Sequence, residues 1–135
     1  MLAMNIRKFQ KKKIIEMEIK KTGRLFSFCC VAPLILKNKS KKDIQKFENI
    51  GADIGLLFQV ADDLIDYNGN LLAAGKKTGK DKKKGKATLI SLLGDKNTIK
   101  YAQKLILKIN TKLKKYGPKS KNLSETLNYI LNRNK

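Results

Sequence analysis

The chain has 135 residues, with 31 lysines and arginines against 11 aspartates and glutamates, which gives a formal net charge of +20. A chain of this length forms one domain at most. It contains no histidine, which excludes histidine catalysis and histidine-ligated zinc. Only three of the 31 cationic residues are arginine. Because nucleic-acid-binding proteins favour arginine for contacts to phosphates and bases, we expect no nucleic-acid partner.

Apolar runs in the sequence are short. No stretch reaches the roughly 18 apolar residues that a membrane span needs, and the first ten residues do not resemble a signal peptide. We therefore expect a cytoplasmic chain without a membrane span. Cys29 and Cys30 are adjacent within an apolar run, which is typical of small buried residues in a reducing compartment.

The N-terminal third predicts one helix and a turn. Residues 1–14 are basic and match no pattern, although Ile14, Ile15 and Ile19 fall at helical spacing. An apolar helix is predicted over 22–36, with Pro33 expected to kink or shorten it. Asn38 marks a turn, and Ser40 is a candidate N-cap for the next helix.

Three further helices are predicted, over 41–67, 97–116 and 123–132, so the fold class is all-α. In the first, the residues at core spacing are Ile44, Phe47, Ile54, Phe58, Ala61 and Ile65. Asn68-Gly69-Asn70 is expected to open a loop that continues to about residue 86 and carries seven lysines from Lys76 onward. In the last two helices the expected inward residues are Ile99, Leu105, Ile106, Ile109, Leu113, Leu123, Leu127, Ile130 and Leu131.

The helix over 41–67 carries an acidic face. Gln59, Asp62, Asp63 and Asp66 follow the i, i+3, i+4, i+7 spacing of one helix face. Carboxylates placed so closely repel each other unless a cation lies between them, and carboxylate oxygens without histidine or cysteine favour magnesium. The alternative is a solvated acidic face. The small residues Gly51, Ala52 and Gly55 leave room for a ligand or for another helix.

These residues resemble motifs of the trans-prenyl diphosphate synthases, the family that makes farnesyl and geranylgeranyl diphosphate. Phe58-Gln59 followed by Asp62-Asp63 and Asp66 resembles the second aspartate-rich motif, and Lys21-Thr22-Gly23 resembles the Lys-Thr-Gly element. Further similarities are Gly75-Lys76, Gly85-Lys86-Ala87-Thr88, Leu92-Leu93-Gly94 and the terminal segment 129–135. The resemblance covers residues 15–135 and implies the C-terminal part of an isoprenoid-synthase helical bundle.

The resemblance implies a reaction and roles for individual residues. An allylic diphosphate would ionise with the help of Mg²⁺, and isopentenyl diphosphate would attack the allylic cation. Asp62, Asp63 and Asp66 would hold the metal, with Asp63 acting through water. Lys21, Thr22 and Gln59 would be catalytic, with Thr22 and Gln59 directing dipoles at the cation. The diphosphate would be bound by Lys21, Lys76, Lys86 and Arg133. Residue by residue, the alternatives are an N-cap for Thr22, a satisfied interface amide for Gln59 and a basic tail for Arg133.

The first aspartate-rich motif of the family and its Gly-Lys-x-x-Arg element are absent from this sequence. We therefore expect a truncated chain that is inactive alone, whereas intact members form homodimers or pair with a partner chain. Loss of half a bundle would expose the inward faces of Ile54, Phe58, Ile65, Leu105 and Ile109. The alternatives are a noncatalytic subunit that pairs with a prenyl synthase and a basic nucleic-acid-binding protein.

Overall fold

The computed structural model describes residues 2–74 and 88–133, and these ranges contain helices and no strand. The all-α expectation is confirmed. In chain order the elements are α1 (Leu2–Glu18), a π-helical segment (Ile19–Gly23), α2 (Arg24–Leu36), α3 (Lys41–Ala74), α4 (Leu89–Leu93), α5 (Asp95–Leu113), a 3₁₀ segment (Lys114–Ser120) and α6 (Lys121–Asn132).

Helical structure in the N-terminal third begins well before residue 22. α1 starts at Leu2 and continues through the π-helical segment into α2. Ile14 is buried, and Ile15 and Ile19 pack against the core, as their spacing predicted. Pro33 does not stop α2, which continues three residues further to Leu36.

The turn between α2 and α3 follows the predicted chemistry. Asn38 adopts a positive φ of 49°, a backbone conformation that asparagine tolerates better than most residues. The Ser40 hydroxyl accepts a hydrogen bond from the backbone N–H of Asp43 at 3.1 Å. Ser40 is therefore the N-cap of α3.

α3 is longer than predicted. The helix continues through Asn68-Gly69-Asn70 and ends at Ala74, so the loop predicted to open at Asn68 was wrong. One glycine costs a helix only about 1 kcal/mol relative to alanine, and the good helix formers Leu71 to Ala74 follow it. The remainder of the predicted loop, with Lys76 and Lys86, lies outside the described residues.

Two features of the C-terminal third differ from prediction. α4 was not predicted. It begins with a reciprocal cap, in which the Thr88 and Ser91 side chains each accept the other's backbone N–H. Ile99 was expected to face inward but is 40% exposed, because Thr98, fully buried, occupies the inward position in that turn of α5. Gly117, with a φ of 55°, separates α5 from α6 as expected.

α3 is the central element and contacts each of the other helices. The expected exposure of Ile54, Leu105 and Ile109 was wrong, because α3 and α5 bury these side chains against each other and against α6. The apolar side chains that are exposed lie mainly on α1 and α2, among them Phe9, Leu25, Phe28, Ile35 and Leu36. Cys29 is exposed as well. It was expected to be buried, but α2 is apolar around its circumference and α3 covers only one side of it.

None of the described helices combines the length and the apolar character that crossing a bilayer requires.

Glycines set the distance between α2 and α3. A Cβ added to Gly51 would lie 2.5 Å from the Cα of Ser27 and 2.6 Å from the carbonyl oxygen of Phe26. A Cβ added to Gly55 would lie 2.6 Å from the Cα of Gly23. The small residues of α3 therefore make room for another helix, which decides between the two alternatives that the sequence left open.

An ion cluster around a buried carboxylate joins α3 to α5. The Asp53 carboxylate, 11% exposed, accepts hydrogen bonds from the ammonium groups of Lys108 and Lys112, each at 2.8 Å. A buried carboxylate requires partners of this kind. Asp53, which belongs to the same acidic segment as Asp62 to Asp66, therefore has a structural role on a different side of α3.

Gly51→Ala should destabilise the fold. The new methyl group would meet backbone atoms that cannot rotate away, and overpacking of this kind typically costs about 1–3 kcal/mol. Urea unfolding followed by circular dichroism measures the loss. Gly23→Ala is the matched control, because its nearest neighbours lie at 3.3–3.4 Å. Equal losses in the two variants would contradict the close approach at Gly51.

Candidate functional site

A cavity of about 1010 Å³ lies between the α1–α2 junction, α3 and the C-terminal end of α6. Its walls combine carboxylates, cations and a few apolar side chains. The lining residues are Met17, Glu18, Lys21, Thr22, Phe58, Gln59, Asp62, Asp63, Ile65, Asp66, Thr88, Tyr129 and Arg133. The structure therefore brings together all the predicted site residues that it describes.

The π-helical segment carries the Lys-Thr-Gly element. Lys21 and Thr22 line the cavity, and Gly23 is buried where α2 crosses α3. Segments with π-helical hydrogen bonding are rare and often occur at functional sites. Thr22 lies inside this segment rather than at a helix start, so the N-cap alternative for Thr22 was wrong.

A chain of hydrogen bonds connects Thr22 to the acidic face of α3. The Thr22 hydroxyl donates to Gln59 Oε1 at 3.1 Å, and Gln59 Nε2 donates to Asp63 Oδ1 at 3.3 Å. Gln59 is buried and also lines the cavity. The Gln59 amide therefore has hydrogen-bond partners for both its oxygen and its nitrogen at a helix interface, and the same side chain lines the cavity.

The three aspartates of the motif differ in environment. Asp62 and Asp63 are half-buried, whereas Asp66 is exposed. Burial raises the pKa of Asp63 above its ordinary value of 3.8, and the charges of Asp66 and Asp62 add to this effect. The hydrogen bond from Gln59 and the charge of Lys21 act in the opposite direction. The negative charges on this face are thus only partly compensated by the protein.

Arg133 closes one side of the cavity. Its guanidinium group forms a hydrogen-bonded ion pair with Asp62 and lies over the ring of Phe58, with the guanidinium carbon 4.1 Å from the ring centroid. The Arg133 side chain is 18% exposed. Arg133 is therefore held in place, which argues against the basic-tail alternative for this residue.

Six cavity residues were not predicted as site residues, and two of them, Glu18 and Phe58, have polar or cationic neighbours of interest. Glu18 is buried, and its Oε2 has no hydrogen-bond partner. Phe58 packs against the core as predicted, and its ring is also the surface on which Arg133 stacks. Glu18 has a sequence signal in retrospect, because it lies at i, i+3 and i+4 spacing with Lys21 and Thr22.

The donors in the cavity suit a hard cation. Within residues 4–69 and 88–133, no three carboxylate or cysteine side chains are arranged to hold a metal ion by themselves. Magnesium is commonly bound by one or two carboxylates, with water and phosphate oxygens completing its shell. Asp62, Asp63 and Asp66 beside Lys21 fit that pattern, since the lysine adds a cation for the phosphate oxygens.

The family model described as polyprenyl synthetase matches residues 2–130, so the match also includes most of the N-terminal segment that showed no recognisable pattern. The chain is 33% identical over 117 residues to farnesyl diphosphate synthase from Micrococcus luteus, covering 87% of this chain and 40% of that protein. It is 34% identical to geranylgeranyl pyrophosphate synthase 4 from Arabidopsis thaliana, covering 86% of this chain and 32% of that protein.

Among solved structures, a geranyltransferase from Helicobacter pylori 26695 is similar, with a TM-score of 0.62 and 26% sequence identity. The match covers 90% of this chain and 38% of that chain. Like the match to the curated relatives, it spans well under half the length of the longer protein. The helical arrangement described above is therefore that of an isoprenoid synthase.

Asp63→Asn should stabilise the metal-free chain at neutral pH. A carboxyl whose pKa is raised on folding contributes stability below its ordinary value of 3.8, and that contribution is lost as the pH rises through the raised value. Asparagine stays neutral and retains the oxygen that accepts from Gln59. Thermal unfolding in a chelator should therefore show a higher Tm for Asp63→Asn at pH 7, and a smaller difference below pH 3.8.

The control for this experiment is Glu125→Gln, which removes an exposed carboxylate on α6. Its effect on Tm should be small. A Tm for Asp63→Asn at or below the wild-type value at pH 7 would contradict the described environment of Asp63.

Proposed function

Because the chain belongs to the polyprenyl synthetase family, we propose that its cavity binds the diphosphate of an allylic substrate together with Mg²⁺. The reaction served is head-to-tail condensation of that substrate with isopentenyl diphosphate. The observation that carries the proposal is the hydrogen-bonded chain from Thr22 through Gln59 to Asp63. This chain of hydrogen bonds joins the Lys-Thr-Gly element to the aspartate motif on the wall of one cavity. Thr22 and Gln59 are 37 residues apart in the sequence.

Asp62 and Asp66 are the proposed direct ligands of the metal. They lie one helical turn apart on α3, so both carboxylates can reach one ion. Asp63 lies about 100° further round the helix than Asp62, and its Oδ1 is already engaged by Gln59, which supports a contact through water. When bound, magnesium neutralises diphosphate oxygens and makes pyrophosphate a better leaving group.

Two cations of the described chain are proposed to hold the diphosphate. Lys21 is exposed at the cavity wall, so its ammonium group can reach a phosphate oxygen. Arg133 pairs with Asp62 in the structure. A metal that takes Asp62 would release the Arg133 guanidinium group for the diphosphate, to which it can donate two hydrogen bonds. We expect Lys76 and Lys86 to contribute further positive charge.

The neutral polar residues are proposed to act on the carbocation. When the allylic C–O bond breaks, its electron pair leaves with pyrophosphate. The double bond of isopentenyl diphosphate then forms the new C–C bond, and loss of a proton restores a double bond. Because the Thr22 proton points at Gln59, the lone pairs of the Thr22 oxygen remain available to face the positive charge. Such preorganised dipoles are effective in a water-poor cavity.

The described cavity is one side of the site that condensation requires. The chain spans 40% or less of the length of the relatives described above, and its sequence contains a single Asp-Asp-x-x-Asp motif. The exposed apolar side chains of α2, including Leu25 and Phe28, offer a surface for another polypeptide. This surface supports a second proposal, that the chain acts as a subunit paired with a second polypeptide, either a copy of itself or a complete synthase.

Asp66→Asn should weaken magnesium-dependent binding of pyrophosphate. We expect the wild-type chain to bind pyrophosphate with a Kd no lower than about 1 mM, which corresponds to about 4 kcal/mol of binding free energy. The reason is that only one aspartate cluster supplies ligands to the metal. Titration followed by ³¹P NMR, with and without Mg²⁺, measures it. Asp66 is a cleaner probe than Asp62, since Asp62→Asn would also release Arg133.

The matched control is Asp43→Asn. Asp43 lies on the same helix but in its first turn, away from the cavity, so this variant reports bulk charge. Binding that is independent of Mg²⁺, or weakened equally by Asp43→Asn, would show that the lysines collect anions without a metal site.

Purified chain should show no detectable prenyl transfer on its own. One aspartate motif cannot hold all the metal ions and both diphosphates that the condensation needs. The assay uses radiolabelled isopentenyl diphosphate with dimethylallyl or geranyl diphosphate. More or different product from a complete synthase with the chain than from that synthase alone would favour the subunit proposal, whereas product from the chain alone would contradict the expectation.

A further inference from the structure

Glu18 is an unusual side chain for the wall of this cavity. It is the last residue of α1, immediately before the π-helical segment, and it is 3% exposed. Its Oε2 is buried without a hydrogen-bond partner. A buried carboxylate without partners is unfavourable, so this residue weakens the fold unless something in the cavity compensates for it.

The charged neighbours of Glu18 come from two elements. Asp63 approaches from α3, and Lys21 lies one turn further along the helix that carries Glu18. Burial and then the charge of Asp63 raise the pKa of Glu18, while Lys21 lowers it. Among the described residues, no lysine or arginine nitrogen lies within the 4.0 Å salt-bridge distance of either carboxylate.

Glu18 and Asp63 thus line one cavity from two different helices, and neither is paired with a lysine or arginine of the described part of the chain. A hydrated divalent cation in the cavity would compensate for the negative charge of both carboxylates. Two carboxylates with water and phosphate oxygens make up a set of ligands that is common for magnesium.

We propose that Glu18 is a further group of the cation site, and that with Asp63 it holds a hydrated divalent cation on the α1 side of the cavity. This inference rests on the proposed function, because the remaining ligands would be diphosphate oxygens. It gives the cavity a carboxylate on the wall opposite the aspartate motif, so a cation can be bound from both sides by residues of this chain.

Mn²⁺ is a suitable probe, because the free ion is measured directly by electron paramagnetic resonance. Full-length chain is titrated with Mn²⁺ in the presence of pyrophosphate, as wild type, Glu18→Gln, Asp63→Asn and the double variant. Glu18→Gln should weaken Mn²⁺ affinity about tenfold, the smaller of the losses typical for groups around a metal. The loss of Mn²⁺ binding free energy in the double variant should be smaller than the sum of the losses in the two single variants, because both residues act on one ion.

The matched control is Glu16→Gln. Glu16 lies on the same helix two residues away, with its side chain 55% exposed, so its removal should leave Mn²⁺ affinity unchanged. Thermal unfolding in a chelator gives a second readout. Glu18→Gln should raise Tm, because it removes a buried and unpaired charge. A purely structural role for Glu18 would predict a lower Tm and unchanged Mn²⁺ affinity.

The outcomes separate this inference from the proposed function. If Asp66→Asn weakens Mn²⁺ binding and Glu18→Gln does not, the proposed function stands and the role of Glu18 is overturned. A Glu18→Gln chain that fails to fold would also overturn it, because the variant is expected to be more stable. Wild-type chain that binds no Mn²⁺ with pyrophosphate would overturn both.

Discussion

The close approach of α2 to α3 is the contact on which the candidate site depends. Gly51 and Gly55 leave no side chain between the two backbones, and Gly23 lies directly against Gly55. Since Gly23 follows Thr22, this contact also determines where Thr22 lies. The Thr22 hydroxyl reaches Gln59, one helical turn beyond Gly55, at 3.1 Å. Packing at the glycines therefore brings the Lys-Thr-Gly element to the start of the aspartate motif.

Charge is distributed differently on the two sides of α3. On one side, Asp53 is fully paired with Lys108 and Lys112, and the cluster joins α3 to α5. On the cavity side, half-buried Asp63 and buried Glu18 have no lysine or arginine of residues 4–69 and 88–133 within salt-bridge distance. Uncompensated carboxylates lower stability, and native proteins retain such groups mainly where function requires them. The contrast between Asp53 and these two carboxylates is the physical argument for a cation site in the cavity.

Local patterns predicted much of this fold, and long-range packing accounts for most of the errors. Ser40 caps the start of α3 and Gly117 interrupts the helical run between α5 and α6, as predicted, because capping and positive φ are properties of single residues. Asn68-Gly69 did not end α3, because a weak local signal was overridden within a long helix. The motif spacing placed Gln59 and the aspartates on one face. The proposed role of Glu18 depends on its proximity to Asp63 of α3. The local sequence around Glu18 does not predict which helix packs against it.

Magnesium and diphosphate are proposed to bind in the cavity rather than on the lysine-rich surface. Amide chemical-shift mapping on ¹⁵N-labelled chain, with Mg²⁺ and pyrophosphate added together, tests this claim most directly. Binding in the cavity should change the amide shifts of Glu18, Lys21, Thr22 and the segment 59–66, and these changes should be absent when either component is omitted. Shifts spread over the exposed lysines of α1 and α5, with or without Mg²⁺, would contradict it.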